Sequence, residues 1–94
     1  MKKAKFVLVV EDEDEIRSMI VSSLKEQAEG LELYIVEAKD GREAINYSGR
    51  QEFHCIVTDL TMPRTTGEEL IRVLLADTLN ANTPMIGTCQ NARR

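Results

Sequence analysis

The chain has 94 residues, enough for one domain with a single core and too few for a two-domain enzyme that closes over its substrate. Hydrophobic residues make up 43% of the chain and charged residues 30%, a composition typical of globular proteins that excludes a disordered chain. With 12 basic against 16 acidic residues the net charge is -4, which argues against nucleic acid as an electrostatically bound partner.

Two features of the sequence concern the location of the protein. The first apolar run, residues 6–10, is followed directly by acids and is too short for a signal peptide or a membrane span. Cys55 and Cys89 lie far apart in strand-like runs, which suits neither a disulfide framework nor a metal knuckle. We therefore predict a cytoplasmic protein with reduced thiols and no membrane partner.

The first strand and the first helix follow from hydrophobic patterning. Residues 6–10 (FVLVV) are apolar throughout and stop at an acidic pair, as in a strand buried on both faces of a parallel sheet. Apolar residues then recur at helical spacing: Ile16, Met19, Ile20 and Leu24. This pattern predicts a helix that begins at Asp12 as its N-cap, with Glu15 completing a capping box, and ends at Gly30.

The rest of the chain repeats this alternation of strands and helices. A second helix is predicted to begin at Asp40, its N-cap, with Glu43 in the first turn, and to continue to about residue 48. The other predicted elements are a second strand at 31–38, a third strand at 53–57, a loop at 60–67, a third helix at about 67–79, a turn at 80–84 and a fourth strand at 85–89. The order βαβαβαβ predicts an α/β fold, an open parallel sheet with helices on both faces.

Three acids follow or end two of the predicted strands. In open parallel sheets the functional groups lie at the carboxyl ends of the strands, which here are marked by Glu11, Asp12 and Asp59. If the first and third strands are neighbours, these carboxylates share one pocket and raise one another's pKa unless a cation joins them. We therefore predict a cation site at this edge of the sheet.

The ligand chemistry favours Mg²⁺ for this site. A few hard oxygen ligands that leave room for water and phosphate suit Mg²⁺ better than an all-protein Ca²⁺ cage. An EF-hand loop is excluded because Ile16 and Arg17 occupy the fifth and sixth positions counted from Asp12. The chemistry that remains is phosphoryl transfer to an aspartate whose charge is screened by the metal.

Plainer interpretations of the same residues stay open. One such interpretation takes Asp12 as a helix cap alone and Asp59 as a polar residue that merely ends a strand. A cap and a ligand are compatible roles, because a cap uses one carboxylate oxygen and leaves the other. His54 is interpreted as a strand-edge residue and not as a base or a ligand.

Three motifs of the sequence resemble the receiver domain of two-component response regulators. They are VVED at residues 9–12, the pair Asp40-Gly41, and TDLTMP at residues 58–63 followed by Gly67. The similarity extends over essentially all of the chain, which implies one receiver-like domain over residues 1–94. It also implies a flavodoxin-like, doubly wound sheet with the family's strand order 2-1-3-4-5.

The resemblance also implies roles for individual residues. Asp59 is then the phosphoacceptor, and its partner is a histidine kinase or a phosphotransfer protein. The Mg²⁺ ligands are then the side chains of Asp12 and Asp59, with Glu11 bound directly or through water, and the backbone carbonyl of Thr61.

The chain departs from the family pattern after the fourth strand. The Ser or Thr that bonds the phosphoryl group falls at Cys89, counted from Pro84, or at Thr88 if the register slips by one. The family's fifth strand with its lysine, and its last helix, have no counterpart in the 94 residues. We therefore expect about four strands and three helices, slow or absent phosphorylation, and a homo-oligomer formed through the open edge and uncovered face of the sheet.

The favoured function is a phosphorelay receiver that signals through protein contacts to an unknown downstream protein. Its catalysis would be limited to its own phosphorylation and dephosphorylation. One alternative is a degenerate receiver that acts as a phosphorylation-independent interaction module. Another is a fragment of a longer response regulator.

Overall fold

The computed structural model describes residues 3–59, Arg72, Ala76 and residues 79–88. The strands of this part of the chain are β1 (Lys3–Val10), β2 (Leu31–Ala38), β3 (Cys55–Asp59) and β4 (Met85–Thr88). Its continuous helices are α1 (Asp14–Gln27) and α2 (Gly41–Ser48). All the strands are parallel and lie in the order β2-β1-β3-β4, as the sequence predicted.

The central strand β1 pairs with β2 along its whole length and with β3 along its second half. The β1–β2 ladder ends with Val10 opposite Ala38, and the β1–β3 ladder ends with Val10 opposite Thr58. The carboxyl ends of these strands therefore meet at one edge of the sheet. On the far side of β3, the ladder with β4 ends with Asp59 opposite Thr88.

Each face of the sheet carries its own core. One core, on the side of α2, consists of Leu8, Val10, Ala38, Ala44, Phe53 and Ile56. The other, on the side of α1, consists of Val7, Val9 and Val57 with Ile20, Val21 and Leu24 of the helix packed against them. Because alternate side chains of β1 point to opposite faces and each face carries a core, residues 7–10 of this strand are all buried and Phe6 is half-buried. The prediction of a doubly wound sheet is thus confirmed.

Helix α2 and strand β2 have the predicted bounds because local signals define them. The Glu43 N–H donates to Asp40 Oδ1 at 2.9 Å, and the Lys39 N–H donates to Glu43 Oε1 at 2.8 Å. These two bonds form a reciprocal cap at the start of the helix. The prediction of Asp40 as N-cap is confirmed.

The start of α1 differs from the prediction. The helix begins at Asp14 with Glu13 at the N-cap position, so the prediction of Asp12 as N-cap with Glu15 in a capping box was wrong. The Glu13 N–H instead donates to Glu11 Oε2 at 2.9 Å, so that the carboxylate of Glu11 supports the turn before the helix. At its other end α1 stops at Gln27, three residues before the predicted Gly30.

Gly30 lies in the turn between α1 and β2. Its φ of 76° is in the left-handed region, which a residue with a side chain adopts only with strain. Glycine at this position therefore allows the chain to reverse into β2.

Strand β3 begins two residues later than predicted, because the two residues before it have other partners. Phe53 fills the core on the α2 side, and its N–H donates to the side chain of Asn80. His54 links to β1 through its side chain: the Phe6 N–H donates to His54 Nδ1 at 3.0 Å, while the His54 N–H donates to Phe6 O at 2.8 Å. The interpretation of His54 as a strand-edge residue agrees with these bonds.

Asn80 bonds to three backbone groups of the connection between α2 and β3, at the amino end of the sheet. Its Oδ1 accepts the Phe53 N–H at 2.9 Å, and its Nδ2 donates to Ser48 O at 2.7 Å and to Gln51 O at 3.0 Å. The Thr83 hydroxyl adds a bond of 3.1 Å to the same Oδ1. Every polar atom of this buried side chain is therefore satisfied.

Three rings are stacked across the strands at the level of Phe6, midway along β1. The Phe6 ring lies 5.1 Å from the ring of Tyr34 on β2 and 6.1 Å from the ring of His54, measured between centroids. The rings are tilted by only 21° and 15°. This stack adds cross-strand contacts to the β2-β1-β3 ladder.

The remaining predictions concern the second half of the chain. The turn predicted at 80–84 is present, and β4 is described as Met85–Thr88, with the predicted last residue, Cys89, outside the described residues. The loop predicted at 60–67 lies outside the described residues, as does most of the predicted third helix, of which Arg72 and Ala76 are helical. Across the described ranges, no helix has the length and apolar character needed to cross a membrane.

Candidate metal centre at the carboxyl end of the sheet

The three acids predicted to converge do so. Glu11 is the first residue after β1, Asp12 follows it, and Asp59 is the last residue of β3. One carboxylate oxygen from each lies within 4.8 Å of the others. Glu11 and Asp59 have exposed fractions of 0% and 1%, and Asp12 is half-buried, so water screens the cluster poorly.

The electrostatics of the cluster are unfavourable for three ionised carboxylates. The pKa of Glu11 is raised from 4.5 to about 7, and burial is the largest cause. The hydrogen bond from the Glu13 N–H opposes this rise, whereas a side-chain hydrogen bond with Asp12 and the negative charges of Asp59 and Asp12 contribute to it. The pocket therefore favours binding either a proton or a cation.

The residues present fit a magnesium ion. Asp12 Oδ1 is buried and has no hydrogen-bond partner among the residues that the structure describes. A buried carboxylate oxygen needs a donor, a water molecule or a cation, and the cluster offers only hard oxygen ligands. Three carboxylates with open positions suit the octahedral, partly hydrated coordination of Mg²⁺.

The backbone that carries the acids is held on both sides. The Glu11 N–H donates to Ala38 O of β2 at 3.0 Å, and Glu11 O accepts a bond of 2.9 Å from Arg17 Nη1. Sequence reasoning singled out Arg17 only to reject an EF-hand and missed this contact. The sequence did contain a signal for an ion pair, because Arg17 is a basic residue that follows a run of acids and lies three residues after Asp14.

The other predicted site residues lie on β4 or outside the described residues. Thr88 ends β4, and its Cα is the register partner of Asp59. Thr61 and Cys89 are outside the described ranges. The structure thus brings together the three predicted carboxylates and places the backbone of Thr88 on the adjacent strand.

Family assignment follows from the chain's match to a known domain. Residues 7–93 match the family model described as the response regulator receiver domain. The chain belongs to this receiver domain family. The α/β fold described above is accordingly the flavodoxin-like fold of receiver domains.

Two curated relatives show where such domains occur. Response regulator RR06 of Streptococcus pneumoniae is 35% identical over 66 residues, which is 70% of this receiver domain and 29% of that protein. Hybrid signal transduction histidine kinase D of Dictyostelium discoideum is 35% identical over 80 residues, 85% of this chain and 5% of that one. The chain therefore spans less than a third of the length of these relatives.

Solved receiver domains have the same architecture. Chemotaxis protein CheY4 of Vibrio cholerae superposes with a TM-score of 0.79 at 28% identity, covering 89% of this chain and 67% of that one. The receiver domain of the sensor histidine kinase PA1611 of Pseudomonas aeruginosa superposes with a TM-score of 0.83 at 24% identity, covering 95% and 70%. The latter structure has a magnesium ion coordinated in its active site cleft.

Proposed function

We propose that residues 1–94 form one receiver unit that binds Mg²⁺ through Glu11, Asp12 and Asp59 and accepts a phosphoryl group on Asp59. The observation that carries this proposal is the buried cluster of three carboxylates, with ligand atoms within 4.8 Å of one another. Bound Mg²⁺ would supply the positive charge that offsets both the carboxylates and the phosphoryl oxygens. The magnesium ion in the PA1611 receiver domain supports this choice of metal.

The donor in this proposal is a histidine kinase or a phosphotransfer protein. A carboxylate oxygen of Asp59 forms a bond to phosphorus while the bond from phosphorus to the donor imidazole nitrogen breaks. The electron pair of the broken bond stays on that nitrogen. The product is an aspartyl phosphate at the carboxyl end of β3.

Two further residues complete the proposed site. The backbone carbonyl of Thr61 is proposed as a metal ligand, and Thr88 or Cys89 as the residue that contacts the phosphoryl group. The register of β4 supports Thr88, because its Cα is the partner of Asp59. Thr88→Ala and Cys89→Ala variants separate the two, since only the residue in contact will alter the lifetime of the aspartyl phosphate.

Mass spectrometry tests the phosphoryl transfer. We expect the wild-type chain, incubated for a long time with acetyl phosphate and Mg²⁺, to gain the mass of one phosphoryl group slowly, with acetate as the leaving group. Asp59→Asn removes the acceptor and should abolish the gain. Glu15→Gln neutralises an exposed acid outside the cluster and should leave it intact.

Two results would contradict the proposed acceptor. A phosphorylated Asp59→Asn chain would show that another residue takes the group. A wild-type chain that binds Mg²⁺ without gaining the adduct would favour the alternative, a phosphorylation-independent interaction module.

We also propose that the chain associates with itself in the cytoplasm, where the free Cys55 thiol stays reduced. Among the described strands β4 has one neighbour, β3, and Ile86 on it is 54% exposed. Ile86 pairs with Val57 and so lies on the α1 side of the sheet, where it extends the apolar surface. An edge strand that carries an exposed apolar side chain is a site for pairing with a second copy.

Light scattering behind a sizing column tests this association. We expect a dimer or larger symmetric assembly at micromolar concentration, and a smaller species for Ile86→Lys, which places a charge on the edge strand. Met19→Lys on the exposed side of α1 is the matched control. A stable wild-type monomer would contradict self-association.

A further inference from the structure

Arg17 makes three hydrogen bonds with three different parts of the chain. Its Nη1 donates to the backbone oxygen of Glu11 at 2.9 Å, its Nη2 to Asp14 Oδ1 at 2.6 Å, and its Nε to Glu37 Oε1 at 3.1 Å. The guanidinium therefore connects the end of β1, the start of α1 and the end of β2. A lysine ammonium could not reproduce this set, because its donors radiate from a single atom.

These contacts fix the peptide group that leads into Asp12. The Glu11 N–H is held by Ala38 O, the Glu11 carbonyl by Arg17, and the Glu11 carboxylate by the Glu13 N–H. The Glu11 carbonyl belongs to the same peptide plane as the Asp12 N–H. Holding that carbonyl therefore sets the direction from which the Asp12 side chain enters the acidic cluster.

The charge of Arg17 is balanced outside the cluster. Burial alone would lower the pKa of Arg17, but the hydrogen bonds and charges of Asp14 and Glu37 outweigh it and raise the pKa above its usual value. The Asp14 side chain is 82% exposed and Glu37 is half exposed, so both lie toward solvent. The guanidinium is thus held and neutralised by carboxylates other than the proposed metal ligands.

We propose that Arg17 is a positioning residue for the metal centre, which holds the Glu11–Asp12 peptide in the orientation that Mg²⁺ binding needs. This inference rests on the proposed function, because it takes the three acids as the metal site. A positioning role and a purely electrostatic role of Arg17 predict opposite effects of its removal on Mg²⁺ affinity. A cation that acted by its charge would repel Mg²⁺, so its removal would tighten binding, whereas loss of a positioning contact weakens it.

Calorimetric titration of Mg²⁺ into four chains tests the proposal: the wild type, Arg17→Gln, Arg17→Lys and Arg50→Gln. We expect Arg17→Gln to raise the Mg²⁺ dissociation constant about tenfold or more, the size of effect typical for residues that orient metal ligands. Arg17→Lys keeps the positive charge but loses the planar guanidinium that makes three hydrogen bonds at once, so we expect it to weaken Mg²⁺ binding as well. Arg50→Gln makes the same change of net charge at an exposed turn after α2 and should bind like the wild type.

Ile56→Val controls for a general loss of stability. It shortens a buried core side chain and should lower the melting temperature without changing the Mg²⁺ dissociation constant of the folded chain. If Arg17→Gln does not fold, Arg17→Lys decides the matter. Unchanged or tighter Mg²⁺ binding in the folded Arg17 variants would overturn the proposal.

Amide hydrogen exchange without metal separates this inference from the proposed function. We expect Arg17→Gln, or Arg17→Lys if the former does not fold, to speed exchange at the Glu11 and Glu13 amides and to leave the Val7 and Val9 amides unchanged. If the wild type fails to bind Mg²⁺, the proposed metal site is wrong, and the positioning role is then judged by exchange alone. Unchanged exchange at Glu11 and Glu13 would overturn it.

Discussion

At the amino end of the sheet Asn80 is as fully buried as Glu11 is at the carboxyl end, but their surroundings differ. Asn80 meets a donor or acceptor at each of its polar atoms, and its bonds join the end of α2 to the residues that precede β3. Glu11 shares its pocket with two other carboxylates, which raise its pKa to about 7 together with burial. At the amino end, buried hydrogen bonds stabilise the fold. At the carboxyl end, buried carboxylates repel one another, and this repulsion favours the binding of a cation.

Removing the amide at the amino end should give the largest effect. Asn80→Ala leaves the Phe53 N–H and the carbonyls of Ser48 and Gln51 buried without their partner, so we expect a loss of about 3 kcal/mol in the free energy of unfolding. Urea denaturation measures it. Asn82→Ala, at an exposed position of the same turn, should change stability by less than about 0.5 kcal/mol. Equal effects of the two variants would show that the buried network is unimportant.

Binding of Mg²⁺ in the acidic pocket should offset the repulsion between its carboxylates and stabilise the folded chain. If only the folded chain binds Mg²⁺, a concentration about 100 times the dissociation constant adds about 2.7 kcal/mol to the free energy of unfolding. Melting in EDTA and in Mg²⁺ measures this gain. Asp12→Ala removes a ligand and should lose most of it, and a variant that responds like the wild type would argue against the site.

Protonation of Glu11 should stabilise the metal-free chain, as Mg²⁺ does, by reducing the negative charge of the cluster. Glu11 has a pKa of about 7 in the folded chain and 4.5 in the unfolded chain. Between pH 4.5 and pH 7 the folded chain therefore binds more protons than the unfolded chain. Stability without metal should therefore fall as the pH rises through this window, by on the order of 2 kcal/mol. Glu11→Gln should flatten this dependence, as measured by urea denaturation at several pH values. A metal-free wild type that gains stability across the window would contradict the assignment.

Neutralising one acid should give the smallest gain. Asp59→Asn relieves repulsion within the cluster, and we expect it to stabilise the metal-free chain by about 1 kcal/mol. Glu15→Gln, at an exposed position of α1, serves as the control and should be neutral or slightly destabilising. A loss of stability in Asp59→Asn would indicate a structural role for this carboxylate.

Sequence patterns predicted correctly those elements whose bounds depend on residues close by in the sequence. The Asp40 cap defined α2, and the uninterrupted apolar run defined the buried part of β1. The bounds of β3 were displaced because the bond between Phe53 and Asn80 joins residues 27 positions apart. No local pattern contains such a contact.

The site was predictable to the extent that strand order determined it. The carboxyl ends of neighbouring parallel strands meet, so the convergence of Glu11, Asp12 and Asp59 followed once the first and third strands were taken as neighbours, the order that the family resemblance implied. The start of α1 did not, because the run from Glu11 to Glu15 offers five acids as possible caps. The turn before the helix is held by the bond from the Glu13 N–H to Glu11 Oε2, and the first turn by Arg17, whose third bond reaches Glu37 on β2.

The ring stack of Phe6, Tyr34 and His54 provides an intrinsic spectroscopic probe. The chain has two tyrosines and no tryptophan, so tyrosine dominates its near-ultraviolet circular dichroism. Tyr34, fixed against Phe6 in the β1–β2 ladder, supplies an asymmetric environment for that signal. Because none of the three rings belongs to the acidic cluster, the dichroism of the stack reports unfolding of the strands and not direct contact with a bound ion.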